Sequence, residues 1–180
     1  MLWVFISIDA LNRQYPHIEI VEFPPTALIV CNMTSYRRPE SVLVVVYTAD
    51  QQCLMLKRRQ PAGFWQSVTG GLEAAESAEA CAQRELLEET GIDAQPLNSE
   101  LVNRFEILPQ WRHRYDPQHK TNTEYVFSVR LPEKRIPRLN PQEHVSYAWL
   151  DAAQAISRCF SRTNAEAIQR IVLAQNECNN

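Results

Sequence analysis

The feature that most constrains this chain is the segment from Ser77 to Gly91. Ser77 is a residue type that caps helix N-termini, alanines and other good helix formers follow through Thr90, and Gly91 supplies the left-handed residue on which helices commonly end. On such a helix Glu85, Glu88 and Glu89 are related by i, i+3 and i+4, so three carboxylates gather on one face. Ala78, Ala82 and Leu86 form a stripe beside that face, small enough for the helix to pack close to a sheet. One side anchors and the other can chelate a hard cation such as magnesium, which prefers oxygen ligands and keeps several waters. Like charges at this spacing cost only about 0.2–0.5 kcal/mol when exposed. A solvated acidic face is therefore tolerated without a metal, and the glutamates alone do not decide between the two.

The rest of the chain points to one α/β domain. With 180 residues, 45% of them hydrophobic, it can bury a real core. Ser41 to Thr48 is a β-branched run suited to a strand buried on both faces, and a turn at Asp50-Gln51-Gln52 leads to Cys53 to Lys57, its expected hairpin partner. Further strands are expected at Leu101 to Ile107, Glu124 to Leu131 and Ser146 to Leu150. Asp151 opens a second helix, and Thr163-Asn164-Ala165-Glu166 reads as a capping box launching a third to about Gln175. Strands, a helix, then strands and terminal helices suit a mixed sandwich better than a regular doubly wound sheet. Between Leu108 and Asn122 lies an aperiodic stretch, long for a compact domain and so a candidate functional loop.

Composition removes several function classes. A net charge of -3 gives no broad positive field, so neither nucleic acid nor an anionic membrane is an expected partner. Five scattered cysteines without a C-x-x-C pair fit neither a disulfide framework nor a zinc site, and a reducing cytoplasm is the expected compartment. No apolar run reaches the roughly 18 residues that span a bilayer.

The pattern around the acidic helix decides what its local chemistry leaves open. Gly70, Glu76, Arg84-Glu85-Leu86, Glu88-Glu89 and Gly91-Ile92 stand at fixed spacings whose chance occurrence together is below roughly one in a million. They resemble the Nudix box at every fixed position. The resemblance implies an α/β/α sandwich with a mixed central sheet and a loop-helix-loop metal site, hydrolysing a nucleoside diphosphate linked to another group with magnesium, for which manganese can substitute. It implies Glu85 and Glu89 as metal ligands, Glu88 in a catalytic role close to the metal, and Arg84 as the residue that orients a glutamate.

Further stretches resemble the branch of that family acting on dihydroneopterin triphosphate: Tyr36-Arg37-Arg38-Pro39, Phe64 to Gly70, Phe105-Glu106-Ile107, Arg112 to Tyr115, Asn122-Thr123-Glu124 and Trp149-Leu150-Asp151. Gly71 and Leu108-Pro109-Gln110 depart from that pattern and bear on the shape of the substrate pocket. The resemblance implies Arg37, Arg58, Thr69, Phe105, Glu106, Ile107, Leu108 and Ser161 as substrate contacts and Glu143 as a further metal ligand, with Glu124 a weaker candidate. Release of pyrophosphate from dihydroneopterin triphosphate, in folate biosynthesis, is the implied reaction. A (deoxy)nucleoside triphosphate such as dATP or an oxidised nucleotide, or a binding-only regulatory module, are the alternatives. A small-molecule triphosphate is the expected partner, and a monomer or weak dimer the expected state. Because the resemblance starts just after Met33, residues 1–35 are expected to be an extension, with Met33 a candidate initiator, and residues 36–180 the hydrolase domain.

Overall fold

The computed structural model describes residues 36–174, and the expected N-terminal extension lies outside the described residues. Seven strands in these residues form one mixed sheet: β1 (Glu40–Thr48), β2 (Gln52–Arg58), β3 (Trp65–Gln66), β4 (Val68–Gly71), β5 (Leu97–Glu106), β6 (Thr121–Leu131) and β7 (His144–Asp151). The helices are α1 (Ala78–Thr90), α2 (Ala152–Arg158) and α3 (Arg162–Ile168), the last running on into a π-helical turn over Gln169–Leu173.

β1 is the spine, and its apolar run is sorted by the pleat onto two faces. Val42, Val44 and Val46 meet Cys81, Ala82 and Leu86 of α1, together with Leu54, Val68 and Phe127. Leu43, Val45 and Tyr47 meet Ala152 and Ala155 of α2 and Ala167 and Ile168 of α3. Helices thus cover both faces of the sheet, as the α/β/α expectation required. Leu86 is fully buried beneath α1. Leu86→Ala is expected to cost about 2–5 kcal/mol, the range for truncating a buried leucine, read as a lowered denaturant midpoint at unchanged slope.

Three local expectations are corrected by long-range contacts. β1 and β2 follow one another across a tight turn but pair only at Tyr47 and Cys53. They then splay apart: β2 pairs antiparallel with β7 along its length, and β1 takes β4 over Ser41 to Val44 while pairing in parallel with β6 on its other edge. β3 and β4 are too short to show a period in the sequence. The third helix is capped two residues before the expected position, with Ser161 at its N-cap and no side-chain capping bond. Asn164, read as part of a capping box, instead turns into the core, where its Oδ1 accepts from the Ser67 N–H and its Nδ2 donates to Ser67 Oγ, both at 2.8 Å. In the stretch expected to be an aperiodic loop, Pro109–Arg114 forms a 3-10 helix. No described helix is long and apolar enough to cross a membrane.

Candidate active site

α1 begins and ends as its sequence dictates. Ser77 Oγ accepts from the Ala80 N–H, and Gly91, at φ 67°, donates its N–H to the Leu87 carbonyl. The loop before the helix is tied down from two sides. Arg38 Nη1 donates to the carbonyls of Glu73 and Glu76, both at 2.9 Å. The Glu76 carboxylate accepts from the Glu73 N–H and, through both oxygens, from Arg84 at 2.8 and 2.9 Å. That fork holds the Glu76 carboxyl down at about 2. Arg84 is the hub: its Nη1 also donates to Glu85 Oε1 at 2.7 Å and to Glu88 Oε2 at 3.2 Å, and its Nη2 to the Gly71 carbonyl at 3.2 Å. The guanidinium has no donor left for a ligand; it orients carboxylates and joins the two ends of the loop.

The three helix glutamates occupy different environments. Glu88 is exposed, Glu85 is mostly shielded, and Glu89 is only 2% exposed. Glu85 lies against Gly70 so closely that a Cβ there would fall 1.8 Å from Glu85 Cδ. Burial pushes the Glu85 carboxyl up to about 7, against the opposing pull of Arg84 and with Glu89 and Glu88 adding to the rise. Glu89 is raised well above the ordinary value, chiefly by burial and then by the charge of Glu143, while Arg58 acts in the opposite direction.

Glu89 from α1, Glu143 from the loop before β7, and His144, the first residue of β7, converge. One ligand atom from each lies within 4.8 Å of the others. His144 Nε2 is 3.2 Å from Glu89 Oε2, with both side chains almost completely buried. Burial also lowers the pKa of the His144 imidazole. The Lys57 backbone is near enough to the ring to act weakly as an acceptor and oppose that lowering, although neither ring nitrogen meets full hydrogen-bond geometry. Arg58 and His144 are register partners across β2 and β7, where a bulge between Lys57 and Arg58 re-aims the strand end. His144 escaped the sequence reading because nothing local marks a histidine beside Glu143 as buried. A period-two strand pattern carried two residues further towards the N-terminus, from Ser146 to His144, was the available signal.

The other expected residues are spread over the rim. Arg58 Nε donates to the Gln60 carbonyl, and its charge is felt at both Glu89 and His144. Thr69, on β4, accepts from Gln66 Nε2 at 2.8 Å and its backbone faces Glu89. Phe105, Glu106 and Leu108 are exposed at the end of β5, whereas Ile107 is buried, its N–H donating to the Lys120 carbonyl and its own carbonyl accepting from Arg112. Arg37 is exposed and donates its N–H to the Arg114 carbonyl. Ser161 Oγ shares a hydrogen bond with Thr163 Oγ1 at 2.7 Å. Glu124 alternates with Tyr125 so as to face α2 and α3 rather than α1, and accepts from Asn103 Nδ2 at 3.1 Å. The sheet therefore separates it from the α1 carboxylates.

Comparison with known proteins agrees with this arrangement. The NUDIX domain profile matches residues 37–175. The chain belongs to the Nudix family. This Nudix chain is 42% identical over 144 residues to dihydroneopterin triphosphate diphosphatase of Escherichia coli, covering 77% of this chain and 95% of the relative. It is 38% identical to the protein of that name from Haemophilus influenzae, covering 77% and 90%. The solved structure of the E. coli dihydroneopterin triphosphate pyrophosphohydrolase superposes with a TM-score of 0.72 at 41% identity, covering 77% of this chain and 98% of that one.

Nudix hydrolases generally use a divalent metal, and the residues present fit one. Glu89 Oε2 and both His144 nitrogens are buried without a partner, next to a second carboxylate, as a hard or borderline cation would require. The raised carboxyls make the metal-free Nudix domain pH-sensitive. A carboxyl whose folded pKa exceeds its unfolded value stabilises the fold below the unfolded value and loses that contribution as pH rises through the folded one. For Glu85 the loss continues as pH rises through about 7; His144, whose pKa is lowered from 6.5 by burial, acts in the opposite sense up to and just above 6.5 and offsets part of it. The metal-free protein is therefore expected to melt higher at pH 6.5 than at pH 8. Saturating divalent metal, which needs the carboxylate form, is expected to reverse that order, and calorimetry at the two pH values checks both.

Proposed function

We propose that this chain hydrolyses 7,8-dihydroneopterin 3'-triphosphate to dihydroneopterin monophosphate and pyrophosphate, with magnesium as its metal, as a cytoplasmic step of folate biosynthesis. The observation that carries the reading is the 42% identity spanning 95% of the E. coli diphosphatase. It reaches far beyond the acidic helix shared by the family at large.

Glu85, Glu89 and Glu143 are the proposed metal ligands. Magnesium, when bound, would supply charge neutralisation at the phosphate oxygens and a water of lowered pKa. The protein's own groups do the rest. Arg84 holds Glu85 and Glu88 in place, so that the carboxylates are set before substrate arrives. Arg58, beside Glu89, offers charge-assisted hydrogen bonds to phosphate, with Arg37 as a second cation on the rim. Thr69, Ser161 and the run Phe105 to Leu108 contribute the remaining contacts, the exposed Phe105 ring being suited to cover a flat heterocycle. Two carboxylates are available to accept the proton of the attacking water. Glu88 is exposed and bonded through one oxygen to Arg84, while Glu143 is exposed and accepts from Asn140 Nδ2 at 3.1 Å. The base is the one whose glutamine variant loses kcat while keeping metal affinity.

The test is magnesium-dependent pyrophosphate release measured with dihydroneopterin triphosphate, dATP and an oxidised deoxynucleoside triphosphate. The pterin substrate is expected to lead in kcat/KM by at least about tenfold, or roughly 1.4 kcal/mol of transition-state discrimination. A nucleotide that equals or exceeds it would reassign the substrate, and the absence of turnover on all three would make the chain a binding module.

A further inference from the structure

Among the described residues, three buried side-chain nitrogen and oxygen atoms lack a hydrogen-bond partner: Glu89 Oε2, His144 Nδ1 and His144 Nε2. All three belong to one pair of side chains. A buried polar group left unpaired costs roughly 1–3 kcal/mol, so their coincidence at one point calls for a common partner. The two side chains do not satisfy each other. His144 Nε2 and Glu89 Oε2 stand 3.2 Å apart, yet neither atom is in hydrogen-bond geometry with the other. Donors on neighbouring vertices of an octahedral shell, each about 2.1 Å from the cation, lie about 3 Å apart. The observed separation is close to that edge, and one ligand atom each of Glu89, Glu143 and His144 lie within 4.8 Å of one another.

We propose that His144 Nε2 is a direct ligand of the divalent cation held by Glu89 and Glu143, making the centre a mixed nitrogen and oxygen site. The backbone fits this role. His144 begins β7 and is fixed in register opposite Arg58, so its ring is placed by the sheet and not by a loop. Lys57, the residue before the bulge, lies beside the imidazole and is the candidate acceptor for Nδ1 once the ring is engaged; a histidine ligand commonly gives its other N–H to a backbone carbonyl. An imidazole nitrogen also shifts preference. An all-oxygen site suits magnesium, whereas the added nitrogen favours transition metals such as iron, nickel and zinc. The inference rests on the divalent-metal reading of the site and goes beyond it in naming a nitrogen ligand.

The test uses Mn2+ alone with the full chain. Pulsed electron paramagnetic resonance of the Mn2+-loaded protein is expected to show coupling to a nitrogen nucleus, and the coupling is expected to change when the protein is made with 15N-histidine. His144→Gln is expected to abolish the coupling and to weaken Mn2+ binding by about 10–100-fold, with Mn2+ still bound at higher concentration. Bound Mn2+ with no histidine coupling in the parent protein overturns the proposal while leaving the carboxylate site standing. Coupling that persists in His144→Gln overturns it equally. Failure to bind Mn2+ at all would remove the metal reading and this inference together. Isotope labelling of the parent protein needs no variant, so the proposal stays falsifiable even if His144→Gln does not fold.

Discussion

In Glu89→Gln, turnover falls by roughly 10³-fold while the melting temperature stays at or above that of the parent protein. The two halves of this expectation share one cause. Glu89 is 2% exposed, and burial disfavours its carboxylate so strongly that the charged form is held there at a cost to stability. Glutamine keeps the shape and removes the charge, so metal-free folding loses nothing. What disappears is an anionic oxygen where positive charge must be held against phosphate, and loss of one preorganised electrostatic contact of this kind costs about 10²–10³-fold in kcat. Parallel thermal melts and pyrophosphate-release assays check both halves. Parent-like turnover in this variant would refute the site, and a collapsed melt would mean that Glu89 serves the fold.

Gly70→Ala is expected to have the second largest effect, and for a purely steric reason. A Cβ at Gly70 would fall 1.8 Å from Glu85 Cδ and 2.0 Å from its Oε1. The obstructing atoms are the end of a side chain, so the strand stays and the carboxylate is expelled. With it goes the 2.7 Å bond from Arg84 Nη1. Divalent-metal affinity is expected to drop about 10–100-fold, the usual cost of disturbing the support of a metal ligand, with kcat falling alongside and the melting temperature nearly unchanged. Gly71 is the control. The nearest atom to a Cβ there is the Glu40 carbonyl oxygen at 4.0 Å, so Gly71→Ala should bind metal normally. Manganese titration of the two variants separates the outcomes, and equal affinities would show that the vacancy at Gly70 does not serve Glu85.

Much of this was legible in the sequence wherever the cause is local. Ser77 and Gly91 bound α1 because cap and stop are decided within one helical turn, and Ala82 and Leu86 face the sheet because a helical period puts them there. Asp151 caps α2 for the same reason, accepting from the Gln154 N–H at 2.9 Å. The box spacing puts Glu85, Glu88 and Glu89 on one helix because that spacing is itself a local signature. What escaped was set by partners far away in sequence. Asn164 has the composition of a capping residue but finds a better bond 97 positions away at Ser67. The β1–β2 hairpin is right at its turn and wrong along its length, because β4 and β7 offer each strand a longer ladder. His144 and Arg38 act through tertiary contacts that no window of neighbours reveals. Among the implied substrate residues, the burial of Ile107 depends on how the end of β5 folds under the 3-10 turn, which its own side chain does not announce.

The wedge of β4 into the gap left by the diverging hairpin separates two jobs within one small molecule. The backbone that carries Thr69 and Gly70 is a rung of the central ladder, pinned to β1 at four consecutive positions from Ser41 to Val44. Bond-breaking machinery built on such a rung keeps its shape between turnovers. Phe105 is also a rung, paired with Asn122 of β6, but its side chain and that of Leu108 are exposed and can be retailored for a new leaving group while the backbone beneath them is left untouched.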